Sequence, residues 1–180
     1  MTPARPALAR HIRTVPDFPV PGIQFRDVTT LFAEPSAFAE AVDAMIEPFA
    51  DAGLDAIVGM DARGFVLGGA MAYRSRVPFV AVRKKGKLPG RTIAEAYSLE
   101  YGEAIVEIHA DAVPEGARVL LVDDLLATGG TAAAGVTLLR RIGAEVVAAS
   151  FLVDLPDLGG SKRLTEMGVD VRVLCAFEGD

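Results

Sequence analysis

Two adjacent carboxylates and a glycine-containing loop lie close together in the second half of the chain. Asp123 and Asp124 directly follow the wholly apolar residues 119–122, and the loop of residues 127–131 comes shortly after them. Two glycines in that loop allow a tight turn that leaves backbone N–H groups uncovered, and a helical pattern begins at Ala132. Backbone N–H groups at a helix N-terminus predict an anion site, and the carboxylates beside it suit sugar hydroxyls or Mg²⁺.

A second loop of the same kind follows an earlier apolar run. Residues 56–60 are apolar, Asp61, Ala62 and Arg63 come next, and a small-residue helical pattern covers residues 66–73. A strand, a short loop and a helix in this order again predict a backbone anion site. The alternative interpretation is a simple turn closed by an ion pair between Asp61 and Arg63.

A local run of positive charge interrupts an otherwise acidic sequence. Arg83, Lys84, Lys85 and Lys87 follow the apolar residues 78–82, although the formal net charge of the protein is −6. Positive charge at the end of a buried strand can compensate an anionic leaving group, and Arg83 and Lys87 are the candidates for that role. A solvated charged face is the alternative.

The loops need strands that end at one edge of a sheet. Short apolar runs alternate with helical patterns, which predicts an α/β fold with a mostly parallel sheet flanked by helices and with ligand loops at the carboxyl ends of the strands. The predicted strands cover residues 56–60, 78–82, 119–122, 145–153 and 171–177. A length of 180 residues fits a single domain over residues 1–180.

Two further segments are predicted to cover the ligand edge. Three prolines and a glycine in residues 15–22 oppose a helix and favour a stiff, extended segment, which we assign to a small hood over residues 13–33. Residues 90–104 contain few large apolar anchors, so residues 86–104 are predicted to form a mobile lid. Glu100 is the obvious acid–base candidate on that lid.

An alternating pattern follows the lid. Val106 and Ile108 share one apolar face of the predicted strand, whereas Glu107 and His109 fall on the opposite face. The pattern therefore predicts that His109 is exposed.

Composition narrows the class of protein. The negative net charge disfavours a nucleic-acid partner, and the sequence has no apolar stretch long enough to span a membrane. The N-terminal residues lack the apolar core of a signal peptide, which predicts a cytoplasmic protein. The one cysteine, Cys175, lies in an apolar strand pattern and is predicted to be a small core residue.

The stretch from Val119 to Thr131 resembles the 5-phosphoribosyl-1-pyrophosphate (PRPP) signature of the type I phosphoribosyltransferases. The resemblance implies that Asp123 and Asp124 lie at the ribose hydroxyls, and it implies Mg²⁺ chelated by PRPP, with the two carboxylates as candidate direct ligands. The residues implied to hold the 5′-phosphate are Ala127, Thr128, Gly129, Gly130 and Thr131. The residues implied to bind pyrophosphate are Asp61, Ala62, Arg63, Arg83 and Lys87.

Two other stretches resemble the adenine-specific members of that family. The proline-rich hood and the Ser98–Tyr101 segment imply the reaction of adenine with PRPP to give AMP and pyrophosphate. The residues implied to contact adenine are Gln24 through its backbone, Phe25, Arg26, Arg63 and Leu155. Glu100 is implied to be the general acid/base and Tyr101 to help close the lid, with Arg63 and Lys87 as further catalytic candidates. The family also implies a homodimer, in which the basic run is a candidate to complete a neighbouring subunit's site.

Three alternatives remain open at this point. A local ion pair between Arg26 and Asp27 is the plainer interpretation of that dipeptide. A related enzyme could act on hypoxanthine, guanine, xanthine or a pyrimidine. A regulator that senses PRPP or a nucleotide on the same fold is the third, although it should carry an added module or a nucleic-acid-binding surface.

Overall fold

A seven-stranded sheet forms the centre of the protein. The computed structural model describes residues 5–98 and 103–178, and the strand order is β5-β6-β4-β3-β7-β8-β9. The strands of this sheet are β3 (Ala56–Met60), β4 (Phe79–Lys84), β5 (Thr92–Ser98), β6 (Glu103–His109), β7 (Arg118–Leu126), β8 (Glu145–Asp154) and β9 (Val171–Ala176). The pairs β4–β3–β7–β8–β9 are parallel, and β6 is antiparallel to both β4 and β5.

Helices cover both faces of the sheet, which confirms the predicted fold class. The helices are α1 (Pro6–Ala9), α2 (Thr29–Phe32), α3 (Pro35–Ile46), α4 (Gly64–Ser75), α5 (Gly130–Arg141) and α6 (Gly160–Glu166), with short 3₁₀ turns at Glu47–Phe49 and Pro156–Leu158. Along β7, Leu120 and Val122 belong to the apolar core under α3 and α4. Val119 and Leu121 belong to the core under α5. The continuous apolar run is therefore explained by burial on both faces.

Two strands extend beyond the predicted apolar runs, and this changes where the functional side chains lie. β7 continues to Leu126 because it pairs with β8 as far as Leu126 opposite Asp154. Asp123 and Asp124 therefore lie within a strand and not after it. β4 likewise includes Arg83, which pairs with Glu107 of the antiparallel strand β6.

The predicted hood contains a β-hairpin. β1 (Arg13–Pro16) and β2 (Gln24–Asp27) pair antiparallel, so the two ends of the segment are extended as predicted, whereas residues 17–22 between them are mainly turns and bends. Asp27 fastens the hairpin to α2, because its buried carboxylate accepts hydrogen bonds from Thr29 and from the Arg13 guanidinium. These hydrogen bonds lower the pKa of Asp27. Arg26 does not pair with Asp27, so the local ion pair is the wrong interpretation.

Part of the predicted lid is an ordered strand pair. β5 is paired with β6 along its whole length, and Ile93 and Tyr97 pack against the core under α5. Residues 99–102 lie outside the described part of the chain, and the mobility of residues 86–104 stays a prediction. Val106 and Ile108 are buried as expected. His109 is half-buried, so the prediction of an exposed side chain is wrong. No helix in residues 5–98 and 103–178 combines the length and apolar character needed to cross a membrane.

Candidate active site

The acid pair lies near the carboxyl end of the central strand β7. Asp124 is 4% exposed, and its backbone N–H donates to Asp123 Oδ1 at 2.9 Å. Burial and, after it, the neighbouring Asp124 carboxylate raise the pKa of Asp123 well above its usual range. Burial also raises the pKa of Asp124, although the Arg63 guanidinium opposes that rise. Two adjacent carboxyls whose charged forms are disfavoured by burial and by each other are stabilised by a ligand that offers hydroxyl donors or a cation.

Arg63 connects the acid pair to the hood. Its Nε lies 3.0 Å from Asp124 Oδ2, and its guanidinium lies 5.6 Å from the centre of the Phe25 ring. Although the two charges form an ion pair, Asp124 Oδ2 is buried and accepts no hydrogen bond from the described residues. That oxygen therefore keeps its capacity to accept a hydrogen bond from a ligand. Because Arg63 pairs with Asp124, the alternative of a turn closed by Asp61 and Arg63 is wrong.

The loop of residues 127–131 has the geometry of an anion site. Gly129 has a φ of 76°, a left-handed conformation that favours glycine, and α5 begins at the next residue. The backbone N–H groups at the start of α5 are thus available to an anion. Gly160 packs directly under this loop: a Cβ there would overlap the Ala127 carbonyl oxygen and lie 3.0 Å from the Gly129 nitrogen. Sequence reasoning missed Gly160, although the Gly159-Gly160 pair was a signal for a close approach.

The loop of residues 61–63 leads into α4 beside the acid pair. Its Asp61–Ala62 peptide bond is cis, and α4 begins at Gly64. A Cβ on Gly64 would lie 2.8 Å from Asp123 Oδ1 and 2.8 Å from the Val122 carbonyl oxygen. Only glycine lets the N-terminus of α4 approach β7 so closely. This contact brings the two predicted anion sites together on either side of the acid pair.

A cavity of about 290 Å³ joins the two loops and the acid pair. Its lining residues are Asp61, Ala62, Arg63, Lys84, Tyr97, Asp123, Asp124 and residues 125–132. Lys84 and Tyr97 were not predicted as site residues, because a lysine in a charged run and a tyrosine in a presumed lid carry no specific signal. Predicted residues Arg83 and Lys87 are not among the described residues that line this cavity.

Arg83 and Lys87 instead lie in a hydrogen-bonded network that contacts the cavity through Asp61. Arg83 Nε lies 3.2 Å from Asp61 Oδ2, and Arg83 Nη1 donates to the Lys87 carbonyl oxygen at 3.1 Å. The Lys87 and Leu88 N–H groups donate to Glu107 Oε1 at 3.0 and 2.9 Å. Glu107 is only 5% exposed, and sequence reasoning gave it no role.

Of the residues implied to contact adenine, Arg63 is the one that lines this cavity within the described part of the chain. Phe25 contacts Arg63 as described above, and the Arg26 guanidinium lies 4.6 Å from the centre of the Phe177 ring. Gln24 is half-buried in β2. Leu155 follows β8, and its N–H donates to the Leu126 carbonyl oxygen at 2.9 Å. Glu100 and Tyr101 lie outside the described residues. Their roles, like those of the other site residues, stay predictions.

The side chains near the cavity also limit the kind of metal site. The described residues contain no group of three or more His, Cys, Asp or Glu side chains arranged to hold a metal ion. Mg²⁺ commonly uses one or two carboxylates together with phosphate oxygens of a substrate. Asp123 and Asp124 fit that second kind of site, because Asp124 Oδ2, although ion-paired with Arg63, accepts no hydrogen bond from the described residues.

Comparison with known proteins agrees with this geometry. The model of the phosphoribosyl transferase domain family matches residues 27–175. The adenine phosphoribosyltransferase of Dinoroseobacter shibae is 62% identical over 180 residues and covers 100% of both chains. The chain belongs to the adenine phosphoribosyltransferases, within the type I phosphoribosyltransferase family.

Solved structures of this family share the fold. The adenine phosphoribosyltransferase of Rhodothermus marinus superposes with a TM-score of 0.90 at 48% identity, covering 95% of this chain and 97% of its own. The enzyme of Saccharomyces cerevisiae, solved in complex with adenine and an imino-altritol bisphosphate, has a TM-score of 0.87 at 37% identity. That match covers 93% of this chain and 96% of the yeast chain.

Proposed function

We propose that this protein transfers the 5-phosphoribosyl group of PRPP to N9 of adenine, giving AMP and pyrophosphate in purine salvage. The observation that carries the proposal is the acid pair, with Asp124 buried and Asp123 half-buried, between two predicted loop–helix anion sites on the neighbouring strands β3 and β7. A substrate with a phosphate at one end, a diphosphate at the other and a ribose between them matches that arrangement. The membership of the adenine phosphoribosyltransferases supports adenine as the acceptor.

The ribose-phosphate end is assigned to β7 and the loop after it. The backbone N–H groups of residues 127–131 bind the 5′-phosphate, assisted by the dipole of α5. Asp123 and Asp124 accept hydrogen bonds from the ribose 2′ and 3′ hydroxyls. Asp124 Oδ2 is ion-paired with Arg63 but accepts no hydrogen bond from the described residues, and a hydroxyl donor would satisfy it, because a buried polar atom without a hydrogen bond is costly.

The diphosphate end is assigned to the loop of residues 61–63 and the basic run. Backbone N–H groups at Ala62 and Arg63 bind the leaving group, and Arg83 and Lys87 add positive charge beside it. Mg²⁺ bound with PRPP would neutralise charge that develops on the pyrophosphate, with Asp123 and Asp124 as the protein groups suited to reach it. Lys84, which lines the cavity, adds a further cation to this side.

The base is assigned to the space between the hood and Leu155. The backbone near Gln24 binds the edge of adenine, while Phe25, Arg26, Arg63 and Leu155 surround it. Glu100 accepts the ring proton of adenine from N7 as N9 forms its bond to C1′. Tyr101 and the rest of the 86–104 segment exclude water from the activated sugar.

These groups act on a displacement at C1′ whose transition state has oxocarbenium character. The bond from C1′ to the pyrophosphate oxygen breaks as the bond to N9 forms, and the electron pair leaves with pyrophosphate. Fixing the ribose at both ends holds C1′ between the entering and leaving groups, which removes much of the entropic barrier.

A substrate assay tests the proposal directly. Purified protein is given Mg²⁺ and PRPP with adenine, hypoxanthine, guanine or xanthine in separate reactions. Conversion of adenine alone to its nucleotide is the expected result. Conversion of a 6-oxopurine instead would contradict the assignment of the base site, and binding of PRPP or AMP without turnover would favour a sensor.

Two substitutions test the assigned roles. Asp124→Asn and Glu100→Ala should each lower turnover by about 10²-fold, the usual scale for a group that acts in the chemical step. Asp43→Asn and Glu40→Ala are matched controls, because both residues are exposed and lie outside the cavity. Turnover within a few-fold of the parent for both site variants would contradict the roles.

The proposal also includes a homodimer and a cytoplasmic location, as the family resemblance and the sequence predict. Sedimentation of the purified protein at micromolar concentration tests the first of these. Whether Arg83 and Lys87 serve their own cavity or a neighbour's is tested by mixing two inactive variants, since complementation requires a shared site.

A further inference from the structure

Glu107 is a buried carboxylate to which the proposed reaction assigns no step. Its side chain reaches the turn that follows β4, where Oε1 accepts hydrogen bonds from two consecutive backbone N–H groups, those of Lys87 and Leu88. Oε2 accepts a longer hydrogen bond, 3.4 Å, from the Thr92 hydroxyl at the start of β5. One side chain of β6 therefore joins the end of the basic run to the start of β5.

The carboxylate is held in its charged form. Burial alone would raise the pKa of Glu107, but the N–H groups of Leu88 and Lys87 outweigh it and lower the pKa. A charged acceptor strengthens each of these hydrogen bonds. The turn is thus fixed by main-chain donors and depends little on which side chains it carries.

A second contact fixes the same turn from the opposite side. The Lys87 carbonyl oxygen accepts from Arg83 Nη1, while the Lys87 N–H donates to Glu107. Arg83 and Glu107 are direct cross-strand neighbours in β4 and β6. Since Arg83 also pairs with Asp61, the turn is connected through two side chains to the loop assigned to pyrophosphate.

We infer that Glu107 is a positioning residue for the diphosphate side of the site. It holds the backbone of Lys87 and Leu88 so that the cations of the basic run stand at a fixed place relative to the loop of residues 61–63. The inference rests on the proposed function, since it concerns the binding of PRPP and pyrophosphate. It assigns Glu107 no contact with substrate.

The test compares Glu107→Ala with Glu107→Gln in both directions of the reaction. The alanine variant removes the acceptor and should raise the KM for PRPP, and for pyrophosphate in the reverse reaction, by about tenfold or more, the effect of losing one or two buried hydrogen bonds. The KM for adenine and for AMP should stay within about twofold, because the hood and the 5′-phosphate loop are untouched. The glutamine variant keeps one oxygen for the two N–H groups and should recover most of the loss.

A control separates positioning from general destabilisation. Asp55 Oδ2 also accepts a backbone N–H, that of Arg118 at 2.7 Å, but at the start of β7, the end of that strand away from the cavity. Asp55→Ala should lower the melting temperature and leave all four KM values close to those of the parent. Hydrogen exchange gives a readout that needs no activity: Glu107→Ala should lose protection in residues 85–92, whereas Asp55→Ala should not.

The outcomes are distinct. An equal rise in all four KM values, or PRPP and pyrophosphate KM values within about twofold of the parent with exchange unchanged, overturns the inference. If the alanine variant does not fold, Glu107→Asp replaces it. The shorter side chain keeps the charge but withdraws the carboxylate from the turn. The KM for PRPP and for pyrophosphate should again rise, with little change in the KM for adenine and AMP. A parent protein without PRPP-dependent turnover contradicts the proposed function, whereas the exchange result still decides whether Glu107 orders the turn.

Discussion

The two predicted anion sites of the protein are built in different ways. The loop of residues 127–131 presents main-chain N–H groups, and its position is set by close contact with the backbone of Gly160. The side assigned to pyrophosphate has a main-chain loop as well, but the cations beside it are set by side chains, with Arg83 on Asp61 and Glu107 under the turn at Lys87. The position of the loop of residues 127–131 depends on close backbone packing, whereas the side assigned to pyrophosphate depends on charged side chains.

This difference determines which substitutions each side can tolerate. A site made of backbone in close contact has no room for an added methyl group, because protein interiors are densely packed. A site made of side-chain ion pairs has more room but depends on every charge that orders it. The predictions below test the two halves of this statement.

The largest effect is expected at Gly160. Gly160→Ala places a Cβ on the Ala127 carbonyl oxygen and 2.9 Å from Leu126 Cγ, so the phosphate loop must move. A displacement of roughly 1 Å can cost about 10²-fold, and we expect at least that loss in kcat/KM for PRPP. Steady-state kinetics with varied PRPP measures it.

Gly69 supplies the control for that substitution. It lies in the interior of α4, and an added Cβ there meets no atom within 4 Å. Gly69→Ala should leave the kinetics unchanged and raise the unfolding free energy by about 0.5–1 kcal/mol, the helix preference of alanine over glycine. Activity of Gly160→Ala equal to that of the control would show that shape does not govern the phosphate loop.

A smaller effect is expected at Arg83. Arg83→Ala removes the contacts to Asp61 and to the Lys87 carbonyl oxygen, and should raise the KM for PRPP by about tenfold with little change for adenine. Arg74→Ala is the matched control, because Arg74 of α4 forms an exposed ion pair with Asp43 of α3. Such exposed pairs contribute about 0–1 kcal/mol to stability. Unchanged PRPP kinetics in Arg83→Ala would contradict the charge-dependent half of the comparison.

The smallest effect concerns pH. The pKa of Glu107 lies below its ordinary value of 4.5, so its contribution to folding is present above the unfolded pKa and is lost as the pH falls through the folded one. Glu107→Gln should therefore lower the unfolding free energy by about 1 kcal/mol at neutral pH, and the gap to the parent should narrow in acid. Urea unfolding at about pH 7 and about pH 3 measures both values. A gap that is independent of pH would show that the charge of Glu107 is not what holds the turn.

The site that depends on shape was the easier one to predict from sequence. Its loop, its acid pair and the following helix are contiguous from residue 119 to residue 142, and their order is specific. Strands β3, β7 and β8 were predicted for a similar reason, because a strand buried on both faces is apolar throughout, whereas the residues of β5 were assigned to the lid. Their ends were predicted too early at β4 and β7, since pairing with β6 and β8 carries each strand on into charged residues.

The contacts that depend on non-local pairing were not predictable. Alternation in residues 104–109 assigned Glu107 to the face away from the core, because no pattern within β6 shows that the turn after β4 covers that face. Its burial follows from the pairing of Arg83 with Glu107 and from donors 19 and 20 residues away. Gly160 is similar, since its partner loop lies in a different part of the sequence.

The pairing of β3 with β7 has a consequence for the energetics of the whole molecule. The two loops that meet at the cavity come from adjacent strands, yet β3 ends at Met60 and β7 begins at Arg118. A ligand that touches both loops binds only chains in which this distant pair has formed, and so it shifts the folding equilibrium by mass action. At a hundred times its Kd such a ligand adds about 2.7 kcal/mol to the free energy of unfolding. A bound ligand would therefore stabilise the pairing of two strands that are far apart in the sequence, and this stabilisation would be lost when the ligand dissociates.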